Sequence, residues 1–477
     1  MAYVAGLDLG TSSCKLVVYD LRGRRVFGSI RRYRMYVTGE SKVEQDPNEW
    51  WGAVRELLRE AARALGARVS ELKAIGISSQ APTLLPVDRR GNPLHNALIW
   101  SDMRAVKEAE LLSSATGERI LPNNGLARIL WFMKNMPEVF SKVHKFLNAL
   151  DWIIFKLTGN FVMDSLTAMI CMYGVGRELW SKVLEEFDIP ADLLPNIVEP
   201  GTLISRIKPE VADEVGLHHN IDIVIGSIDA YVAMLGASAI REGVLAEIMG
   251  SSICLMLATN KDYSNAKNLP TTRHVLPYLK AVAIPINNGG VVLEWLGNLL
   301  GKSTSELIEL ATKSPPGANG VLTLPFIFKE RVPLVANPQF ITYGLRYSHG
   351  LTDFIRSVIE GLVYNVRTYI DFIRDSGYKI EYGVAVGGYS RFEELIRLHA
   401  DIVGCPYRRT QDMNATALGS AILASRAANL YATIEEACSN MVHYVSEFRP
   451  SGDRRKVYDE AFRKYSKLLS QLNMLST

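Results

Sequence analysis

Two apolar runs at the start of the chain, residues 3–9 and 14–20, flank the small polar stretch Gly10-Thr11-Ser12-Ser13. That pattern predicts a β-hairpin, with a third strand near 26–37 after the turn in DLRGRRV. A helix follows in DPNEWWGAVRELLREAARALG: Asp46 stands as N-cap, Pro47 takes the first helical position, and apolar residues recur at helical spacing to Leu65. LKAIGISSQ (72–80) is a short strand closing on polar residues, while AVKEAELLSSATG and GLARILWFMKNMPEVF are helical patterns. Near residue 221 the pattern restarts. IDIVIGSIDA is an apolar strand running into a polar turn, and GVLAEIMGSSICLMLATN (243–260) follows it. YGVAVGGYSRFEELIRLHADIVG then reads as strand, glycine turn and helix, and DMNATALGSAILASRAANL as a helix with small residues on one face. Strands alternate with helices, so the class is α/β.

One comparison within the chain changes the picture. DLGTSSCKLVV (8–18) resembles IMGSSICLMLA (248–258), matching Gly10 to Gly250, Thr11 to Ser251, Ser12 to Ser252 and Cys14 to Cys254. A tight turn of Gly, Thr and Ser lets backbone N–H groups approach an anion closely, and its hydroxyls add donors. Two such turns, one per half, suit a polyphosphate. A carboxylate at Asp8, inside an apolar strand, suits the Mg²⁺ that accompanies it; the plainer role for Asp8 is to cap the turn backbone. The glycines of VGGYSR (386–391) lie between a strand and a helix, where a flat ligand can lie against backbone or where the chain simply turns. Asp229, just past an apolar strand, is either a helix N-cap or a general base.

Bulk properties narrow the classes. A length of 477 residues suggests about two to four domains. A net charge of +3 argues for neither nucleic acid nor an anionic membrane as partner. The five cysteines are widely spaced, with no CxxC pair and no zinc spacing, which fits a reducing compartment. No signal-peptide pattern and no membrane-length apolar run is present, so a cytoplasmic protein is expected.

Taken in order, GLDLGTSSCKLVVYD, QDPNEWW, IGISSQ, ALIWSDMRA, LTGNFVMDSLTA, GSIDA, MGSS, LPFIFKERVPLVANPQ, EGLVYNV, VGGYSRFEELIRLHADIVG and ALGSAILA resemble the motifs of the FGGY carbohydrate kinases, within the sugar kinase/Hsp70/actin superfamily. The resemblance spans essentially the whole chain. It implies two ribonuclease-H-like (actin-like ATPase) domains flanking a deep cleft: 1–240, carrying the sugar side, the first phosphate hairpin and the catalytic aspartate, and 241–477, carrying the nucleotide side. It implies ATP and Mg²⁺ as cofactors, a small sugar or polyol as substrate, no nucleic acid or membrane partner, and leaves room for a homodimer. On the same ground Asp229 is the general base for phosphoryl transfer to a hydroxyl, and Asp8 organises Mg²⁺. Gly10, Thr11 and Ser12, with Gly250, Ser251 and Ser252, hold the phosphates. Gly290, Glu294, Gly387, Gly388 and Tyr389 line the nucleoside pocket, and Gln80, Ala81, Pro82, Trp100, Asp102, Asn123 and Asp229 face the sugar.

The departures from the family concern the substrate. Where many xylulose kinases carry Gln-Met-His-Gly, this chain reads Gln80-Ala81-Pro82-Thr83, and the charged Gln-Arg-Glu-Thr of glycerol kinases is absent too. A site that loses a polar partner loses discrimination between hydroxyl patterns. Trp100 offers either a flat face to a sugar or a core side chain, and Arg104 suits a structural carboxylate partner. Tyr389 stands where the family has a third glycine, Phe392 replaces a serine and Arg397 a glutamine, which bears on nucleotide preference. The leading expectation is a kinase of a ketose such as a xylulose-like pentulose. A glycerol or polyol kinase and a sugar-sensing pseudokinase are the alternatives. Retention of Asp8, Asp229 and both turns argues against the sensor, and no appended region supports a chaperone.

Overall fold

In the computed structural model, which describes residues 2–173, 177–261, 269, 271–330 and 339–474, the chain divides into two units. One comprises Met1–Gly236 with Thr416–Met441; the other comprises Ala237–Ala415 with Val442–Thr477. Residues 331–338 of LPFIFKERVPLVANPQ lie outside the described residues. Among the described residues no helix is long and apolar enough to cross a membrane.

The first unit is built on strands β1 (Tyr3–Leu9), β2 (Ser13–Asp20), β3 (Arg25–Arg32), β4 (Leu72–Ser79), β5 (Leu203–Arg206) and β6 (Asp222–Ile228). They lie in the order β5-β6-β4-β1-β2-β3. The three N-terminal strands form an antiparallel meander, β4 runs parallel to β1, β6 parallel to β4, and β5 closes the edge antiparallel. The expected single strand over 26–37 is two. β3 stops at Arg32, one residue before the Tyr33 N–H donates a last bond across to the Ser12 carbonyl. Residues 36–39 then pair in a separate small sheet with Lys42–Gln45 and Ala97–Leu98.

The second unit repeats this plan. Strands β7 (Val244–Met249), β8 (Ile253–Thr259), β9 (Lys280–Ile286), β10 (Tyr382–Val386), β11 (Tyr407–Thr410) and β12 (Tyr444–Phe448) stand in the order β9-β8-β7-β10-β11-β12, with a two-residue strand, Thr272–Arg273, outside β9. Strand directions agree with the first sheet at every junction. The edge strand alone differs in connection: β5 precedes its neighbour in the chain, whereas β12 follows it. The internal likeness between 8–18 and 248–258 thus reflects equivalent hairpins, with one correction. Leu9 pairs with Cys14, but Met249 pairs with Ile253, so the second turn is one residue shorter. A one-residue slip exchanges the faces of a strand. Cys14 is accordingly buried and matches Ile253, not Cys254, which is partly exposed.

Both faces of the central strands are covered, which is why β1 reads as an almost unbroken apolar run. On one face lies α1 (Pro47–Leu65), capped as expected by Asp46, whose side chain accepts from the Asn48 N–H; it contributes Trp50, Val54, Leu57 and Leu58 to the core. Five further helices matter for the site: α2 (Gly125–Asn135), α3 (Asp229–Gly236), α4 (Gly290–Leu300), α5 (Glu393–His399) and α6 (Ala415–Ala427). The expected second half, 241–477, is interrupted by α6. Its small residues lie directly on strand glycines of the first unit. A Cβ on Gly6 would sit 1.7 Å from the Ala417 carbonyl oxygen, and one on Gly76 1.9 Å from that of Ser420. The Ser420 and Ser78 hydroxyls are 3.0 Å apart. Only backbone-close packing of this kind holds a helix so near a sheet, and it requires glycine on the strands.

The second unit buries a charged cluster beneath the end of β7. The Glu247 carboxylate accepts from the Tyr407 hydroxyl at 2.7 Å and lies 3.0 Å from His399 Nε2, while His399 Nδ1 meets the Leu395 carbonyl at 2.7 Å. Burial works against charge on His399, but Glu247 beside it overrides burial and raises the imidazole pKa above its ordinary value. A raised folded-state pKa contributes stability that is complete below about 6.5, the unfolded value, and is lost as pH rises through the folded value. Urea midpoints are therefore expected to fall as pH climbs above 6.5, and the double variant Glu247→Gln/His399→Gln to lose that component of the slope. An unchanged slope in the double variant assigns the effect to other groups.

Candidate active site

The turn between β1 and β2 holds Gly10, Thr11 and Ser12, and its carbonyls are tied from behind. Gly10 O accepts from the Tyr33 hydroxyl, Thr11 O from Gln45 Nε2 at 2.6 Å, and Ser12 O from the Tyr33 N–H at 3.3 Å. Among the described residues neither the Thr11 nor the Ser12 N–H finds an acceptor, so the turn presents donors outward. The turn between β7 and β8 uses the same device with different partners. Gly250 O accepts from the Gly290 N–H at 3.0 Å and Ser251 O from the Val291 N–H at 2.9 Å, both at the start of α4. A turn whose carbonyls are anchored and whose N–H groups and hydroxyls stay available can cradle an anion.

Asp8 lies at the end of β1 with its side chain 13% exposed. Burial raises its pKa, and Lys15, whose Nζ is 3.9 Å away, pulls in the opposite direction. Its buried Oδ1 has no hydrogen-bond partner. An orphaned carboxylate oxygen beside an anion cradle fits a hard cation that keeps most of its own waters. Among the described residues no group of three or more His, Cys, Asp or Glu side chains forms a protein cage for a metal. Asp229 is the first residue of α3, directly after β6, and its Oδ1 accepts from the Ala230 N–H at 2.7 Å. Burial first, then neighbouring groups including Asp8 and Asp229, push the Tyr33 hydroxyl well above its usual value.

The residues expected on the sugar side divide into two kinds. Gln80 is buried after β4, its Nε2 donating to Gln45 Oε1 at 2.6 Å; Ala81 and Pro82 follow it, partly exposed. Trp100 is half-buried and donates from Nε1 to the Thr11 hydroxyl at 2.9 Å, so it is neither a plain core residue nor a detached platform. Asn123 donates from Nδ2 to the Trp100 carbonyl at 2.9 Å. Asp102 departs from expectation. It is fully buried, and both carboxylate oxygens are engaged by Arg104 and the Val43 N–H, with Arg104 also bound to Glu44 at 2.7 Å. A carboxylate so surrounded has nothing left for a sugar, and it fixes the loop that carries Trp100 instead. Sequence reading missed its companion Arg128 on α2, which is buried and donates to the carbonyls of Leu98, Ile99 and Asp102. Burial pushes this guanidinium down to about 10, with Asp102 opposing. An arginine inside the apolar pattern GLARILWF was the available signal.

On the nucleoside side, Gly387 adopts φ +90°, and a Cβ there would lie 2.7 Å from the Met249 carbonyl oxygen; Gly388 is exposed with open space around it. Tyr389 lies over Gly290, whose Cβ would meet the ring at 2.2 Å, and its hydroxyl contacts Gly290 O at 3.0 Å and Glu294 at 2.9 Å. The cavity behind this turn, bordered by Met249, Gly289, Leu293, Tyr389 and His399, is about 30 Å³. Tyr389 therefore narrows the region where the family places a third glycine. Glu330, also missed, holds the preceding NNGG segment through the N–H groups of Asn287 (2.6 Å) and Asn288 (3.3 Å).

Two sheets of one plan, each with a short turn of small residues after its first strand, define a mixed α/β protein of the two-domain, actin-like ATPase class. Comparison with known proteins narrows the class. Residues 3–236 match the N-terminal domain, and residues 245–428 the C-terminal domain, of the FGGY family of carbohydrate kinases. The chain belongs to this family and is a carbohydrate kinase. It is 27% identical to a xylulose kinase of Staphylococcus epidermidis, over 99% of this chain and 97% of that one, and 26% identical to a gluconokinase of Bacillus licheniformis, over 98% and 94%. Its structure superposes on a ligand-bound xylulose kinase from Lactobacillus acidophilus with a TM-score of 0.87, at 25% identity, covering 99% and 98% of the two chains.

Proposed function

We propose that the protein transfers the γ-phosphoryl group of ATP to a hydroxyl of a ketose such as a xylulose-like pentulose, with Asp229 as general base. The observation that carries this reading is the device shared by the two turns, each with its carbonyls anchored behind and its donors outward, as a phosphate chain requires. Asp229 accepts the acceptor's hydroxyl proton as its oxygen bonds to phosphorus. Gly10, Thr11 and Ser12, with Gly250, Ser251 and Ser252, bind phosphate oxygens, while Gly290, Glu294, Gly387, Gly388 and Tyr389 border the nucleoside. Gln80, Ala81, Pro82 and Trp100 face the acceptor, with Asn123 and Asp102 steadying the loop behind Trp100. Asp8 would hold Mg²⁺, which neutralises phosphate charge when bound.

The likeness to a gluconokinase keeps an anionic acceptor in view. The charges of the acceptor side favour a neutral one. Arg104 is spent on Asp102 and Glu44, Arg128 on three carbonyls, and Ala81 and Pro82 add no cation. The test is ATP consumption with D-xylulose, D-ribulose, D-gluconate, glycerol and tetritols. D-xylulose is expected to give the highest kcat/KM, at least about tenfold above D-gluconate, a gap worth about 1.4 kcal/mol of transition-state binding. Preference for gluconate overturns the ketose assignment, and tight binding of one sugar with no turnover of any supports the sensor instead.

A further inference from the structure

Gln45, the first residue of QDPNEWW, touches neither reacting group in the proposed reaction, yet it is fully buried at the meeting point of the first turn and the acceptor side. Its amide makes four contacts. Nε2 donates to Thr11 O at 2.6 Å and reaches Arg34 O at 3.4 Å. Oε1 accepts from Gln80 Nε2 at 2.6 Å and from Trp50 Nε1 at 3.3 Å. These partners leave no freedom in its orientation. A backbone carbonyl only accepts and an indole N–H only donates, so Nε2 must face Thr11 and Oε1 must face Trp50. Gln80 must then present its NH₂ group to Gln45. Its own Oε1 is turned away, buried and without a partner. A buried amide oxygen in that state is an acceptor awaiting a donor, and a sugar hydroxyl supplies one.

We infer that Gln45 is a positioning residue that couples acceptor binding at Gln80 to the phosphate-binding turn. This rests on the proposed function in one respect, that Gln80 meets the acceptor. A hydroxyl donating to Gln80 Oε1 polarises that amide, whose Nε2 binds Gln45 Oε1 more strongly; Gln45 Nε2 in turn binds Thr11 O more strongly. Thr11 C=O and Ser12 N–H belong to one planar peptide and point in opposite directions. Tightening the bond at the carbonyl therefore orients and polarises the Ser12 N–H toward an incoming phosphate. An occupied acceptor site thus makes the turn a better anion cradle, and by reciprocity bound nucleotide tightens the acceptor.

The experiment measures binding of the Mg²⁺ complex of a non-hydrolysable ATP analogue to the full chain, with and without whichever of D-xylulose, D-gluconate and glycerol turns over. In the wild type the acceptor is expected to tighten nucleotide binding about tenfold, within the usual range of such couplings. Gln45→Glu can still accept from Gln80 and Trp50 but cannot donate to Thr11 O as a carboxylate. It should keep acceptor affinity within about threefold while the coupling ratio falls toward one, a split that general destabilisation does not produce. Should that variant fail to fold, Gln45→Met, which carries no charge, is expected to lose both the coupling and part of the acceptor affinity. A wild type without coupling, or either variant with wild-type coupling, overturns the inference. Gln80→Met separates the two layers. If it leaves acceptor affinity unchanged, the placement of the acceptor at Gln80 falls; if it weakens the acceptor while Gln45→Glu retains coupling, only the relay falls.

Discussion

Asp229→Asn is expected to lower kcat by about 10³-fold, within the range attributable to a positioned general base, while Kd values for the nucleotide and the acceptor stay within a few-fold of wild type. The substitution keeps the shape of the side chain and the oxygen that accepts from the Ala230 N–H, so α3 retains its first turn. What it removes is the capacity to take a proton. The loss should therefore fall on kcat and kcat/KM alike, the signature of an interaction made only in the transition state. Asp229→Ala is expected to abolish turnover with nucleotide binding intact. Rapid-quench measurement of a single turnover, set beside calorimetric binding constants, checks both. A variant retaining more than a tenth of wild-type kcat would leave Asp229 only its capping role.

Gly6→Ala should be the most damaging conservative change in the first unit. The added methyl would lie 1.7 Å from the Ala417 carbonyl oxygen, and the obstacle is backbone rather than a side chain that can swing aside. Overpacking of that kind costs about 3 kcal/mol or more, a large share of a typical domain's total stability. Gly76→Ala meets Ser420 O at 1.9 Å and belongs to the same class. Gly52 in α1 is the matched control, because a Cβ there has nothing within 4 Å. Gly52→Ala should gain up to about 1 kcal/mol from helix propensity. Urea unfolding of the three variants separates the outcomes, and a Gly6→Ala protein as stable as wild type would show that α6 shifts without cost.

Much of this was legible in the chain. Alternation of strand and helix gave the class, and the Asp46-Pro47 signature placed α1 to within a residue. The repeat of small-residue turns pointed to two equivalent hairpins, because such turns require particular residues at fixed places. Three features were not legible, each for a physical reason. The one-residue difference between the turns depends on pairing register, which an ungapped match cannot express. The return of α6 to the first sheet is a long-range packing choice, hinted at only by small residues on a helix and glycines on strands 340 or more residues away. Asp102 looked like a sugar ligand because a carboxylate beside a tryptophan suits hydroxyls; only the fold reveals that Arg104 and Val43 have claimed it. Gln45, Arg128 and Glu330 escaped notice because their work is to hold backbone carbonyls and N–H groups, and backbone leaves no mark in the letters of a sequence.

The discontinuity of the first unit has a bearing on how the protein is born. As the nascent chain leaves the ribosome, the sheet face around Gly6 and Gly76 stays uncovered until residues 416–441, about 340 or more positions further along the chain, have been synthesised. An apolar surface bare for so long is an invitation to chaperones, and a fragment ending before that helix would lack the cover its first sheet needs to persist in solution.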